Sequence, residues 1–228
     1  MSKDGKLIVS AIAILFIVGM SPPVLAGDLT PPGVPGSTMH TLEEIYNIVQ
    51  NTNSNVESVL NDQALVPQSG QTTSYAIGDD GDLQAGLAWA EPRFTDNGDG
   101  TVTDNLTGLI WLKAADCFGA QTWANALVAA NTLNSDECGL SDGSVEGDWR
   151  LPQVKELQSL IDFGNFNPTL PTGHPFSGVQ SGAFSYYWSA GITAYDAGRA
   201  WTVGLCYGNV GSYYKSGVDY VWPVRGGN

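Results

Sequence analysis

At 228 residues the chain has room for one domain with extensions or for two small ones. Charged residues are only 14% and aromatics 10%, with 28 glycines and 7 tryptophans, which excludes a disordered tail and describes a turn-rich globular body. The formal net charge of −14 opposes nucleic acid, anionic membranes and sulfated polysaccharides, and favours cationic partners.

Residues 1–26 have the form of an export signal. Lys3 and Lys6 supply the basic start, Leu7 to Met20 the apolar segment, and Val24-Leu25-Ala26 the small-residue cleavage site. The apolar run of 14 residues falls short of the roughly 20 needed to span a bilayer, so export and release are expected, with no membrane contact once the signal is removed. Cleavage removes two of 9 basic and one of 23 acidic residues, leaving 7 and 22 and a charge of −15. The expected address is the periplasm, the cell surface or the medium.

Residues 27–40, with Pro31, Pro32 and Pro35, form an extended spacer. Thr41-Leu42-Glu43-Glu44 then has the capping-box pattern that opens a helix over 41–62. Leu42, Ile45, Val49, Thr52, Val56 and Val59 follow at alternating steps of three and four. This stripe fits a surface helix docked on the domain, or equally a short oligomerising stalk, for which a homotrimer is the expected form. Residues 63–90, rich in Gly, Ser and Gln, are expected to be a linker with a tight acidic turn at Ile77–Asp82.

Asp96-Asn97-Gly98-Asp99-Gly100 invites comparison with a calcium loop. Asp99 and Asn97 sit at alternate positions before Gly100, but Thr95 occupies the first ligand position, and no glutamate lies seven beyond Asp99. The Asn-Gly and Asp-Gly pairs between Phe94 and Val102 better suit a hairpin turn. Asp96, Asn97 and Asp99 are therefore the lesser, calcium-binding alternative, and no cofactor is expected. Leu109 to Leu112 reads as a buried strand. A helix starts near Thr122, flanked by Cys117 and Cys138, which in an exported chain are a natural disulfide. Cys206 is left over and is expected to be a buried thiol.

From Gly147 to Asp162 a short extended piece turns at Pro152 into a helix whose buried face carries Val154, Leu157, Leu160 and Ile161. Trp149, Leu151 and Trp188 are expected in the same core. Arg150 is expected to form a structural ion pair with Glu156 or Asp148. Strands are expected at Tyr186–Ser189, Trp201–Tyr207, Asn209–Lys215 and Tyr220–Arg225, with Pro223 marking an edge or a bulge.

Five motifs now carry a resemblance: Arg93 to Asp104, Leu106 to Trp111, Trp149-Arg150-Leu151-Pro152 with Glu156-Leu157, Tyr187-Trp188-Ser189, and Trp222 to Gly227. Across residues 91–227 the chain resembles the Lcl C-terminal domain family, named for the end domain of a bacterial collagen-like adhesin. The resemblance implies an α+β, C-type-lectin-like domain, with two helices packed on twisted antiparallel strands, in an exported bacterial protein. It also implies that some relatives are trimeric and bind sulfated glycans. This chain departs from them in its strong negative charge and its lack of a collagen repeat.

A catalytic role is not expected. His40 and His174 are the two histidines, and neither a zinc-protease, a nucleophile-elbow nor a phosphate-loop motif is present; His174, in a Pro/Gly loop, is expected to be exposed. The surplus of tyrosines points instead to binding. Exposed members of the set Tyr186, Tyr187, Tyr207, Tyr213 and Tyr214 are expected to form a face for a glycan or a surface protein, with core packing taking up the others. A structural subunit of a surface appendage is the alternative.

Overall fold

The computed structural model describes residues 41–62 and 66–227. The export-signal and spacer readings lie outside the described residues. The described residues fall into two units, 41–62 and 66–227.

In the first unit, α1 spans Leu42–Asp62. The expected capping box closes it: the Thr41 N–H donates to Glu44 Oε2 at 2.7 Å, and the Glu44 N–H donates to Thr41 Oγ1 at 3.2 Å. Thr52, the polar member of the apolar stripe, turns its hydroxyl back onto the Ile48 carbonyl at 2.8 Å, which satisfies it within the helix. Leu42, Tyr46 and Ile48 are exposed. Among the described residues no helix is long and apolar enough to cross a membrane.

The second unit is mixed α+β. A four-stranded sheet has the order β1 (Phe94–Asp96), β2 (Thr101–Asp104), β3 (Ile110–Leu112) and β9 (Val224–Arg225). A five-stranded sheet has the order β4 (Ala120–Thr122), β8 (Val218–Tyr220), β5 (Tyr186–Ile192), β6 (Arg199–Gly204) and β7 (Asn209–Tyr214). All pairings are antiparallel except the short β5–β8 contact at Tyr187 and Tyr220. The short α2 (Asp80–Leu83), α3 (Trp123–Asn131) and the single-turn-and-a-half α4 (Val154–Ser159) complete the unit.

The β1–β2 hairpin turns where Asn-Gly and Asp-Gly stand. Gly100 has φ of +85°, and a Cβ there would lie 2.3 Å from the Gly139 carbonyl, so only glycine fits. Cys117 and Cys138 are joined, with Cα atoms 5.7 Å apart across α3. Cys206 is buried and free.

The core is lined with tryptophan. Trp111, Trp149, Trp188 and Trp222 are all fully buried, as are Leu157 and, to within 2%, Leu151. Three of the four indole N–H groups are satisfied, Trp149 on Ser144 Oγ, Trp188 on the Gln121 carbonyl and Trp222 on the Leu112 carbonyl, while Trp111 Nε1 is buried without a partner among the described residues. Trp222 stacks edge-on with Trp111 at 5.5 Å and Phe176 at 4.9 Å.

Three expectations are corrected. Residues 66–90 are not a free linker. Pro67 bridges to Leu87, the Trp89 indole donates to the Gln68 carbonyl, and the Phe163 N–H donates to the Ser69 carbonyl, so the segment lies folded on its own domain. The strand expected over Tyr220–Arg225 is two strands in different sheets, because Val221-Trp222-Pro223 carries the chain from one to the other. The Pro152 helix starts later and ends earlier than its apolar pattern suggests. Gln153 is the N-cap, Pro152 precedes it, and Leu160 is already the C-cap.

Arg150 pairs with Glu156, with both guanidinium nitrogens at 2.7 Å from the carboxylate oxygens, and donates further to the Gly226 carbonyl. Burial pushes the Glu156 carboxyl up, but the bonds from Arg150 and from the Gln153 N–H outweigh it and leave the pKa lowered. The backbone of Arg150 exchanges hydrogen bonds with Val224, so the Trp-Arg-Leu-Pro stretch and the terminal Trp-Pro-Val-Arg stretch meet in space.

Replacing Cys117 and Cys138 by serine releases a loop closed over 21 residues, which is expected to remove about 3 kcal/mol of stability. Thermal melting of the double variant should fall by roughly 6–12 °C relative to the oxidised protein, and melting of the native protein in reductant should show a similar loss.

Candidate functional site

The β5–β8 pairing and strand alternation decide which side chains share a face of the five-stranded sheet. Trp188 is opposite Thr202, Thr202 opposite Gly211, and Ala200 opposite Tyr213, so these residues with Tyr186 point the same way. Tyr220 pairs with Tyr187 on the other face, which places the neighbouring Asp219 on the Tyr186 side. One part of this face is covered by α3, where Ala126, Ala130, Leu151, Trp188 and Ala200 pack together. The remainder stays open as a pocket of about 330 Å³.

Its walls are aromatic: Phe184, Tyr186 and Tyr213. Each tyrosine is held by a glycine. A Cβ on Gly204 would come within 2.9 Å of the Tyr186 ring, and one on Gly217 within 2.1 Å of the Tyr213 ring, so both rings lie flat against bare backbone. Asn209 Nδ2 also donates to the Tyr186 hydroxyl at 3.2 Å, and Trp188 backs Tyr213 at 6.3 Å between centroids. Phe184, in contrast, stands 93% exposed at the lip.

Thr202, Gly211, Ser212, Val218 and Asp219 line the rest of the pocket. Asp219 is 7% exposed, and its Oδ2 is buried with no hydrogen-bond partner among the described residues. Burial alone pushes its carboxyl up to about 7. A recess walled by aromatic rings and hydroxyl-bearing side chains, with one buried carboxyl of raised pKa, has the usual form of a binding site.

The tyrosines expected to act together are separated by the fold. Tyr186 and Tyr213 enter the pocket. Tyr187 does not: it is fully buried, its hydroxyl accepts the Gln180 N–H at 2.7 Å, and its ring packs on Trp222, so this candidate is withdrawn. Burial pushes its phenol well above the usual range. Tyr214 points to the opposite face, where Arg199 lies over its ring at 3.7 Å. Tyr207 is exposed in the turn between β6 and β7. Asp219 was missed by sequence reasoning; its only signal is a lone carboxylate inside the short strand Val218-Asp219-Tyr220. Phe184 and Thr202 carried none.

The three candidate calcium ligands make local contacts within the hairpin and with Lys113. Asp96 pairs with Lys113 at 2.6 Å, Asn97 Nδ2 donates to Thr101 and Thr103, and Asp99 Oδ1 accepts from the Thr101 N–H and hydroxyl. The Lys113 and Gly98 bonds hold the Asp96 pKa low.

A larger cleft of about 710 Å³ lies between the 68–94 segment and the 162–175 loops. Two of its charged groups are engaged: Arg93 binds Asp104 through two bonds at 2.8 and 2.9 Å, and Asp162 accepts from the Gly164 N–H and Asn165. The Arg93 guanidinium is also flanked by the Trp89 and Phe94 rings, at 4.8 and 4.9 Å. His174 lies here half-buried rather than exposed, packed 5.8 Å from Phe176, and burial lowers its pKa.

The family model described as the Lcl C-terminal domain matches residues 100–225, more than half of the chain. The chain belongs to the Lcl C-terminal domain family. Within this Lcl C-terminal domain, the matched span contains the pocket residues, the disulfide and the Arg150–Glu156 pair. No curated protein matches the sequence.

The raised Asp219 carboxyl sets a pH dependence. Between its ordinary value of 3.8 and about 7 the folded state holds a proton that the unfolded chain releases, so stability falls as pH rises through that window. The Asp219→Asn protein should therefore melt higher than the native protein at pH 8, by about 3 °C or more, with the gap closing at pH 4. Paired melting curves at the two pH values check this, and a gap independent of pH would contradict it.

Proposed function

We propose that this Lcl C-terminal domain is the binding module of an exported bacterial adhesin-type protein, with a C-type-lectin-like fold, and that it recognises glycans without performing catalysis. The observation that carries the reading is the pocket on the five-stranded sheet, which Tyr186, Tyr213 and a buried carboxyl line together. Aromatic faces give rigid apolar area for the C–H side of a sugar ring, and the carboxyl accepts hydrogen bonds from its polar substituents. A pocket of about 330 Å³ lies at the small end of ligand sites, which suits a single sugar residue.

Export is supported by the Cys117–Cys138 disulfide, which persists in oxidising compartments. The lectin-like assignment is supported by antiparallel sheets packed with α3 and α4. A second reading, assembly through α1 into a surface structure, is supported by the exposed Leu42, Tyr46 and Ile48, which a neighbouring copy would cover. Light scattering on the secreted protein separates the two; a monomer ends the assembly reading.

Glycan-array binding by the exported protein should be lost, by roughly tenfold or more, in Tyr213→Ala and in Gly217→Val, whose side chain would displace the Tyr213 ring. Tyr214→Ala, on the opposite face, should bind as the native protein does. Equal binding by all four proteins would refute the pocket.

A further inference from the structure

The glycan-binding pocket holds one ionisable acid and no base. Asp219 Oδ2 is buried and unpartnered, and the walls around it are aromatic. A neutral hydroxyl donor would satisfy one lone pair of that oxygen and leave the charge buried. A cation would do both, and the faces of Tyr186 and Tyr213 would stabilise it further through their ring quadrupoles.

Among the described residues, five of the seven cations are held in ion pairs, a sixth lies over an aromatic ring, and Lys155 lines a different pocket, with Gln158 and Phe163. Arg93, Lys113, Arg150, Arg199 and Arg225 are in ion pairs with Asp104, Asp96, Glu156, Asp196 and Asp142. Lys215 lies over the Trp123 ring at 4.2 Å. No internal counter-ion reaches Asp219 among the described residues, and the net charge of −14 draws cationic ligands toward the molecule while opposing sulfated ones.

From these observations, and resting on the glycan-binding reading above, we infer that the pocket selects an amino sugar bearing a free, protonated amine, with the ammonium group on the Asp219 carboxylate and the ring between Tyr186 and Tyr213. N-acetylation removes the charge and adds bulk, so acetylated sugars are discriminated against. Gly211 leaves the floor open for the amine: a Cβ there would meet only the Thr202 hydroxyl, at 3.6 Å.

Calorimetric titration of the full-length protein at pH 6.5 tests this with two probes of equal length, a β-1,4-linked glucosamine tetramer and its fully N-acetylated counterpart. The free-amine tetramer is expected to bind at least roughly tenfold more tightly, about 1.4 kcal/mol. Asp219→Asn should erase that preference, and Tyr213→Ala should weaken whatever binding either tetramer shows. Folding of both variants is checked by the near-ultraviolet signal of the buried tryptophans. Equal affinity for the two tetramers, or a preference that survives Asp219→Asn, overturns the amine assignment while leaving glycan binding intact. Binding of a lysine tripeptide through Asp219 with no response to either tetramer overturns the amino-sugar assignment and the glycan reading together.

Discussion

The indole of Trp222 is the joint on which both sheets turn. It sits in the three-residue passage between β8 and β9, fully buried, and its N–H donates to the Leu112 carbonyl of β3 at 2.8 Å. Trp111, Phe176 and Tyr187 surround it at 4.9 to 5.5 Å between centroids. Each such aromatic pair adds roughly 0.5–1.5 kcal/mol beyond its buried area. Because Asp219 lies three residues upstream and Arg225 three residues downstream, locking this ring fixes two distant features at once. One is the carboxyl in the pocket. The other is the Arg225 guanidinium, which stacks over Trp149 at 4.9 Å and pairs with the buried Asp142.

Much of this was written locally. Asn-Gly and Asp-Gly set the β1–β2 hairpin, Thr41 and Glu44 set the start of α1, and the spacing of Arg150 and Glu156 across Pro152 set their ion pair. These features depend on residues within a few positions of each other, so local propensity and capping chemistry decide them. The failures are non-local. Residues 66–90 have linker composition, yet Trp89 and the Ser69 and Gln68 carbonyls find partners that no sequence window reveals. The run from Tyr220 to Arg225 has strand propensity except at Pro223, and its division between two sheets comes with the burial of Trp222 in the passage between them. Tyr186 and Tyr187 are chemically alike, and which one meets solvent follows from the β5–β6 register. Asp219 escaped notice because its significance is an absence of partners, a property of the folded state alone.

Charge gives the site its character. Seven basic side chains follow residue 91, and five of them are held in ion pairs. Among these, Arg93–Asp104 is nearly dry, and removing one partner of such a pair typically costs 3–5 kcal/mol. Those pairings knit hairpin, helix and terminal strand together, and they leave the pocket carboxyl without a counter-ion. Its burial is a destabilising element in the free domain, offset by the aromatic core beneath it, and a ligand that satisfies the carboxyl recovers that energy as affinity.

Asp219 Oδ2 stands buried and without a hydrogen-bond partner in the pocket that Tyr186 and Tyr213 line. Carbon-13 NMR of the aspartate carboxyls in the unliganded protein measures this directly through their titration midpoints. One resonance, lost in Asp219→Asn, is predicted to titrate at about pH 7. An Asp219 midpoint near the ordinary 3.9 of a solvated aspartate would contradict the account.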